Sequence, residues 1–352
     1  MTSLADYSQD CCKGMCVIET NSSRILYNKN ENLKLPMAST TKIMTAITAI
    51  ENCKDISSLV KIPKKAVGVT GTSLYLKENE ELSLKDLLYG LMLISGNDAS
   101  VAIGEYVGKG VKNFIEMMNL TAKKIGALNS HFENTHGLDS KNHYTTAYDL
   151  ALITSYAMKN PIFKEIVSTK NIKIKNTDGK TRYLKNKNKL LNKMEGCCGV
   201  KTGFTNDAGR CLVSSCERNG MNLVCVVLNC APMFEYSQEL LEKAFDEYKL
   251  IDLTCGYAFK NYIEVENGRK NIVKISTKNR CLYPLKMSEI DKITYQYEIL
   301  DCLDAPVKKG EEVGEVKIFI DKKLHFSEKI YTIESVRRNS ILNKIIDLID
   351  KW

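Results

Sequence analysis

The chain has 352 residues, 44% hydrophobic and 26% charged, a composition that supports a substantial core and one or two globular domains. Its 50 basic and 42 acidic residues are scattered without an interleaved aromatic platform, so no nucleic-acid partner is expected. No apolar run of about 18 residues occurs, so no transmembrane helix is expected, and residues 1–14 lack the basic and apolar regions of a signal peptide.

Taken in order, "GMCVIET-NSS-RILYNKN" (14–30) reads as strand, polar turn, strand. A small run, Ala38-Ser39-Thr40-Thr41, then leads into Lys42 and an apolar helical stretch. "LSLKDLLYGLMLIS" (82–95), "VKNFIEMMNLTAKKIG" (111–126) and "TTAYDLALITSYAMK" (145–159) repeat apolar residues at three and four, the period of helices. Ser83 and Asp86 supply a cap and a first-turn acid for the first of them. The basic run "KNKNKLLNKM" (185–194) reads as a solvated loop, and "DGKT" (178–181) as a turn, since a phosphate loop needs glycine where Ile174 stands. Three strands follow, "CCGVKTG" (197–203), "RCLVSSCE" (210–217) and "MNLVCVVLN" (221–229), the last two joined by the hairpin signal Asn219-Gly220. "YSQELLEKAFDEYKLI" (236–251) is again helical.

Strands at both ends of this segment with helices between them predict an α+β domain over 1–252, an antiparallel sheet covered by helices. From 253 to 335 short strands with turns predict a small all-β domain. The segment 336–352 predicts an amphipathic helix, with Ile341, Leu342, Ile345, Ile346, Leu348, Ile349 and Trp352 on one side. That face, with Arg337 and Arg338 before it, has the form of a helix lying on a membrane surface, although packing against the β domain is the alternative. The thirteen cysteines include no C-x-x-C, and the four histidines lack zinc spacing. Most cysteines read as buried free thiols, with no metal and no cofactor assigned; Cys197 and Cys198 read as packing on a central strand.

Two serines precede a lysine by three residues, Ser39-x-x-Lys42 and Ser58-x-x-Lys61. Only the first is followed by Ser95-Gly96-Asn97 and later by Lys201-Thr202-Gly203, whereas Lys61 runs into Ile62-Pro63, where a helix would break. S-x-x-K, S-x-N and K-T-G in this order form the signature of penicillin-binding proteins and class A β-lactamases. Residues three apart on a helix share a face, so the Lys42 amine can reach the Ser39 hydroxyl. It acts as a base only when neutral, which burial and a second cation, Lys201, would favour. Ser95 and Asn97 can relay a proton and hydrogen-bond a substrate amide. The K-T-G strand can pair with a peptide backbone, and Gly203 permits close approach.

Beyond the motifs, "ILYNKNENLKLPMASTTKIMTA", residues 70–108 and "FENTHGLDSKNHYTTAYDLALI" closely resemble the D-alanyl-D-alanine carboxypeptidases, the low-molecular-mass penicillin-binding proteins of bacterial walls. The resemblance covers roughly 14–250 and continues through "DAPVKKGEEVGEVKIF", similar to the family's C-terminal β domain. It implies Ser39 as the acyl-ester nucleophile, Lys42 as proton acceptor and Ser95 with Asn97 as the second motif. Lys201, Thr202, Gly203 and Phe204 would bind substrate, with the backbone N–H groups of Ser39 and Phe204 as the oxyanion hole. The implied partners are the peptidoglycan pentapeptide and β-lactam inhibitors. The implied location is the outer face of the cell membrane or the exterior. Two positions depart from the family: Cys198 replaces an acidic residue, and Met233 replaces a carboxylate-binding arginine. A class A β-lactamase would need a deacylating glutamate, and Glu133 lacks that loop's other residues. An endopeptidase, a transpeptidase and a non-catalytic wall sensor are the alternatives within the fold. His136 and His143 read as structural hydrogen-bonding residues.

Overall fold

Strand β1 (Cys12–Glu19) buries six residues in succession, from Gly14 to Glu19, as a strand covered on both faces must. The computed structural model describes residues 11–255 and 259–339, which divide into two compact units between Asp246 and Glu247. After β2 (Ile25–Lys29), α1 (Lys42–Asn52) buries every residue from Lys42 to Ile50, so it is a core helix and not a surface one. Strands β3 (Leu59–Lys61) and β4 (Glu81–Ser83) form a short ladder. Helix α2 (Leu84–Leu93) begins at Ser83, whose hydroxyl oxygen accepts from the Asp86 N–H, as the sequence predicts. Helices α3 (Asn97–Gly108), α4 (Val111–Ile125), α5 (Ala147–Met158) and α6 (Pro161–Ser168) follow. The hairpin of β5 (Asn171–Lys175) and β6 (Thr181–Lys185) places "DGKT" at its turn. Then come β7 (Cys197–Thr205), β8 (Gly209–Arg218), β9 (Met221–Cys230) and α7 (Met233–Glu247).

The main sheet has the order β2-β1-β9-β8-β7, joining the two ends of the segment as expected, with the pairs antiparallel. Asn219 and Gly220 both have positive φ, 49° and 78°, the backbone of a tight hairpin turn. Two expectations are corrected. The strand carrying Cys197 and Cys198 is the edge of the sheet and not its centre, which leaves one side of β7 without a strand partner in that sheet. The final helix stops at Glu247, because Tyr248–Asp252 forms strand β10 and pairs with Leu282–Lys286. Tertiary pairing overrides the helical period there.

The second unit is all-β, as expected. After β10 come β11 (Tyr262–Glu266), β12 (Ile272–Thr277), β13 (Leu282–Lys286), β14 (Ile293–Ile299), β15 (Cys302–Asp304), β16 (Glu312–Ile320) and β17 (Lys323–Thr332). Six of them form one sheet in the order β14-β16-β17-β12-β11-β15. Alternation along β11, with Ile263 and Val265 inward and Glu264 and Glu266 outward, gives one apolar face. The amphipathic helix expected over 336–352 is corrected at its start, because Val336 and Arg338 form β-bridges with Val307 and Gly268; the rest, 340–352, lies outside the described residues.

Candidate active site

Ser39 lies in a 3-10 turn, Ala38–Thr41, immediately before α1, and not inside the α-helix itself. In such a turn residues three apart eclipse, so Lys42 stands over Ser39. Thr40 and Thr41 hold the turn: their hydroxyls donate to the carbonyls of Met37 (2.6 Å) and Ala38 (2.8 Å). Ala38 has φ 49°, a left-handed conformation that costs a non-glycine residue about 1–3 kcal/mol and persists only where the surroundings fix it. Ser58 and Lys61 have no such geometry, since Leu59–Lys61 is a strand.

The Lys42 amine is fully buried. Its Nζ lies 3.0 Å from Ser39 Oγ, 2.7 Å from Asn97 Oδ1 and 2.7 Å from the His136 carbonyl. Burial holds its pKa well below the ordinary lysine range; Lys201 and Lys187 lower it further, and Asp98 opposes them. Lys201 is also buried, and its pKa is lowered to about 7 by burial and then by Lys187.

Ser95 lies in the α2–α3 turn with φ 70°, and its buried hydroxyl has no hydrogen-bond partner among the described residues. Asn97 opens α3: its amide accepts from Lys42 through Oδ1 and donates to the Thr70 carbonyl at 2.6 Å. Next to it, Asp98 accepts from the N–H groups of Leu74 (2.9 Å) and Leu76 (3.1 Å) and from the Ser73 hydroxyl (2.7 Å). This buried carboxylate ties segment 70–76 to the first turn of α3. Arg182 fastens the same segment from the other side, donating to the carbonyls of Leu74 and Tyr75 and pairing with Glu80.

The segment 131–145 closes behind the turn. Its Gly137 has φ 90°, and a Cβ there would fall 1.8 Å from the Ala38 carbonyl oxygen, so only glycine fits. His143 Nδ1 accepts from the Glu133 N–H at 3.0 Å, which leaves Nε2 as the protonated nitrogen of the neutral ring; it lies 2.8 Å from Thr41 Oγ. Burial lowers the pKa of His143 to about 4, so the ring is neutral near pH 7.

Strand β7 brings the third motif across Ser39. A Cβ on Gly203 would lie 3.1 Å from the Ser39 backbone nitrogen, which puts the strand directly against that amide. Lys201 Nζ donates to the Thr202 carbonyl at 2.8 Å, and Phe204 is exposed with Arg210 over its ring. Cys198 Sγ packs against the Ser215 carbonyl at 3.4 Å, and Met233 is buried at the start of α7.

The structure therefore gathers Ser39, Lys42 and Asn97 by direct contact and lays Gly203 beside Ser39. Sequence reasoning missed four contributors. The His136 carbonyl has no side-chain signal, although the following Gly137 marks its turn. Asp98 was visible as an acid beside the S-x-N motif, and Thr70 acts through its backbone. Lys187 sits in the basic run read as a solvated loop; it is exposed, yet its charge bears on both Lys42 and Lys201.

Residues 5–231 match the family profile of D-alanyl-D-alanine carboxypeptidases of the S11 peptidases. The chain belongs to this carboxypeptidase family. Residues 254–338 match the C-terminal domain of penicillin-binding protein 5. Among related carboxypeptidases, DacF of Bacillus subtilis is 28% identical over 348 residues, covering 97% of this chain and 90% of that protein. Penicillin-binding protein 5 of Haemophilus influenzae superposes with a TM-score of 0.72 at 28% identity, covering 94% of this chain and 99% of that one. A Streptomyces DD-transpeptidase superposes with a TM-score of 0.64 at 31% identity, covering 67% and 98%. As a family member the chain is a serine hydrolase that passes through an acyl-enzyme and binds penicillin. Carboxypeptidases of this family act in the periplasm or cell wall.

Proposed function

We propose that Ser39 attacks the carbonyl of the penultimate D-alanine of a peptidoglycan stem peptide and that Lys42 takes its proton. One observation carries this reading: the buried Lys42 amine faces two carbonyl oxygens and one hydroxyl. A neutral amine has two N–H donors for Asn97 and His136 and one lone pair, so the Ser39 O–H donates to Nζ. The lowered pKa favours this neutral, basic form over the ammonium, which would donate to all three partners. As the Ser39 oxygen bonds to carbon, its proton moves to Lys42, and the carbonyl becomes an oxyanion held by the N–H groups of Ser39 and Phe204. The C–N bond then breaks as the proton on Lys42 is relayed through the Ser95 hydroxyl to the departing D-alanine amine, which returns Lys42 to its neutral form. Water repeats the sequence in reverse on the acyl-ester, restoring Ser39 and completing hydrolysis. Asn97 hydrogen-bonds the substrate amide while positioning Lys42.

The substrate lies as an added strand along the open side of β7, where Gly203 allows close approach, with its terminal carboxylate on Lys201 and Thr202. The buried Met233 leaves those two as the carboxylate's partners. The division of labour is a catalytic domain ending at Asp246, a β domain that runs from Glu247 through Arg338, and a C-terminal segment beyond it. Incubation with a stem pentapeptide and a D-amino-acid acceptor tests the reaction. Free D-alanine and tetrapeptide are expected; exchange of the acceptor into the product without net hydrolysis contradicts carboxypeptidase action in favour of transpeptidation.

We also propose that the enzyme works at the outer face of the cell membrane, with 341–352 resting on the lipid surface. The full chain is expected to co-sediment with anionic vesicles more strongly than a chain ending at Arg338. Equal partitioning of the two contradicts a membrane role for this segment.

A further inference from the structure

Three cysteines converge on the main sheet two strands from β7. Cys12 on β1 sits directly opposite Cys230 on β9 in the ladder, and Cys11 precedes it. The three sulfurs all lie within 4.8 Å of one another, and Cys11 Sγ is 4.0 Å from Cys230 Sγ. Around one ion at about 2.3 Å, thiolate sulfurs sit roughly 3.8–4.0 Å apart, so the cluster is close to that spacing as it stands. A disulfide would require about 2.05 Å, and all three are free thiols. Cys12 and Cys230 are buried, while half-buried Cys11 provides the way in. Lys29, on the neighbouring strand β2, favours the thiolate at both Cys11 and Cys12. Among the described residues the donor set is these three soft ligands.

We propose that Cys11, Cys12 and Cys230 form a tri-thiolate site for a thiophilic divalent cation of the Zn2+ and Cd2+ class. Binding replaces three S–H bonds by three metal–sulfur bonds, and the three protons pass to solvent. The ion pins the start of β1 to the end of β9, just before α7.

Titrating the reduced protein with Cd2+, while following thiolate-to-metal charge-transfer absorption and proton release, tests this. One equivalent should bind with release of up to three protons, and Cd2+ should displace Zn2+ bound beforehand at the same site. Cys11→Ser should weaken binding by roughly tenfold or more. Cys197→Ser, at the separate cysteines of β7, should leave it unchanged. Equal penicillin acylation in wild type and Cys11→Ser confirms that the variant is folded. Absence of stoichiometric binding overturns the proposal, as does equal affinity in wild type and Cys11→Ser, or a loss confined to Cys197→Ser. A non-reduced chain two hydrogens lighter, with Cys230 linked to Cys11 or Cys12, overturns it in favour of a disulfide.

Discussion

Replacing Lys42 by arginine should reduce acylation by benzylpenicillin by about 10²–10⁴-fold, the range supplied by a positioned base. A guanidinium stays protonated, so it cannot accept the Ser39 proton at any working pH. Because arginine is also larger than the fully buried lysine, Lys42→Met serves as the second variant. It has a similar length and no base, but it strands the carbonyls of Asn97 and His136 at a cost of about 1–3 kcal/mol each if water does not replace the amine. Thermal unfolding separates that loss from the loss of chemistry. In wild type, acylation should rise with pH, because only the neutral fraction of Lys42 is a base and its pKa is lowered. Stability follows the same sign. Between the lowered folded pKa values of Lys42 and Lys201 and the ordinary 10.5, the unfolded chain binds more protons than the folded one, so stability rises with pH across that window. For Lys201 the window runs from about 7 upward. A Lys42→Arg enzyme that acylates at the wild-type rate would mean that another group takes the proton.

Removing the Ser95 hydroxyl should separate activity from stability. Its Oγ is buried without a hydrogen-bond partner among the described residues, on a residue held at φ 70°, which is an unfavourable arrangement for folding alone. A buried polar group left unpaired costs about 1–3 kcal/mol, so Ser95→Ala should leave the melting temperature unchanged or raise it. If the hydroxyl relays a proton to the leaving amine, the same variant should lose about 10²-fold or more in both acylation and D-alanine release. The two measurements must move apart. Full activity in Ser95→Ala would remove Ser95 from the proton path, and a large drop in melting temperature would make its role structural.

Motifs whose chemistry resides in side chains were legible in the sequence. Ser39, Lys42 and Asn97 could be grouped because their spacing and order single them out, and the decoy at Ser58 fell away on the proline that follows Lys61. The sheet built from both ends was readable from apolar strands flanking a helical block. Backbone contributions were not readable. Nothing in His136 or Thr70 announces that a carbonyl will receive Lys42 or Asn97, because that depends on how segments distant in sequence fold together. The same limit applies to Tyr248–Asp252, where apolar and polar residues suit a last helical turn, yet pairing with Leu282–Lys286 makes it a strand. Lys187 is exposed as a solvated run should be, and its influence on two buried lysines requires knowing where the loop lies.

The most direct measurement is the intact mass of the chain after exposure to benzylpenicillin, with the adduct located by peptide mapping. A single adduct on Ser39, absent from Ser39→Ala, is the expected result. An adduct on Ser58, or one that persists in Ser39→Ala, contradicts Ser39 as the nucleophile.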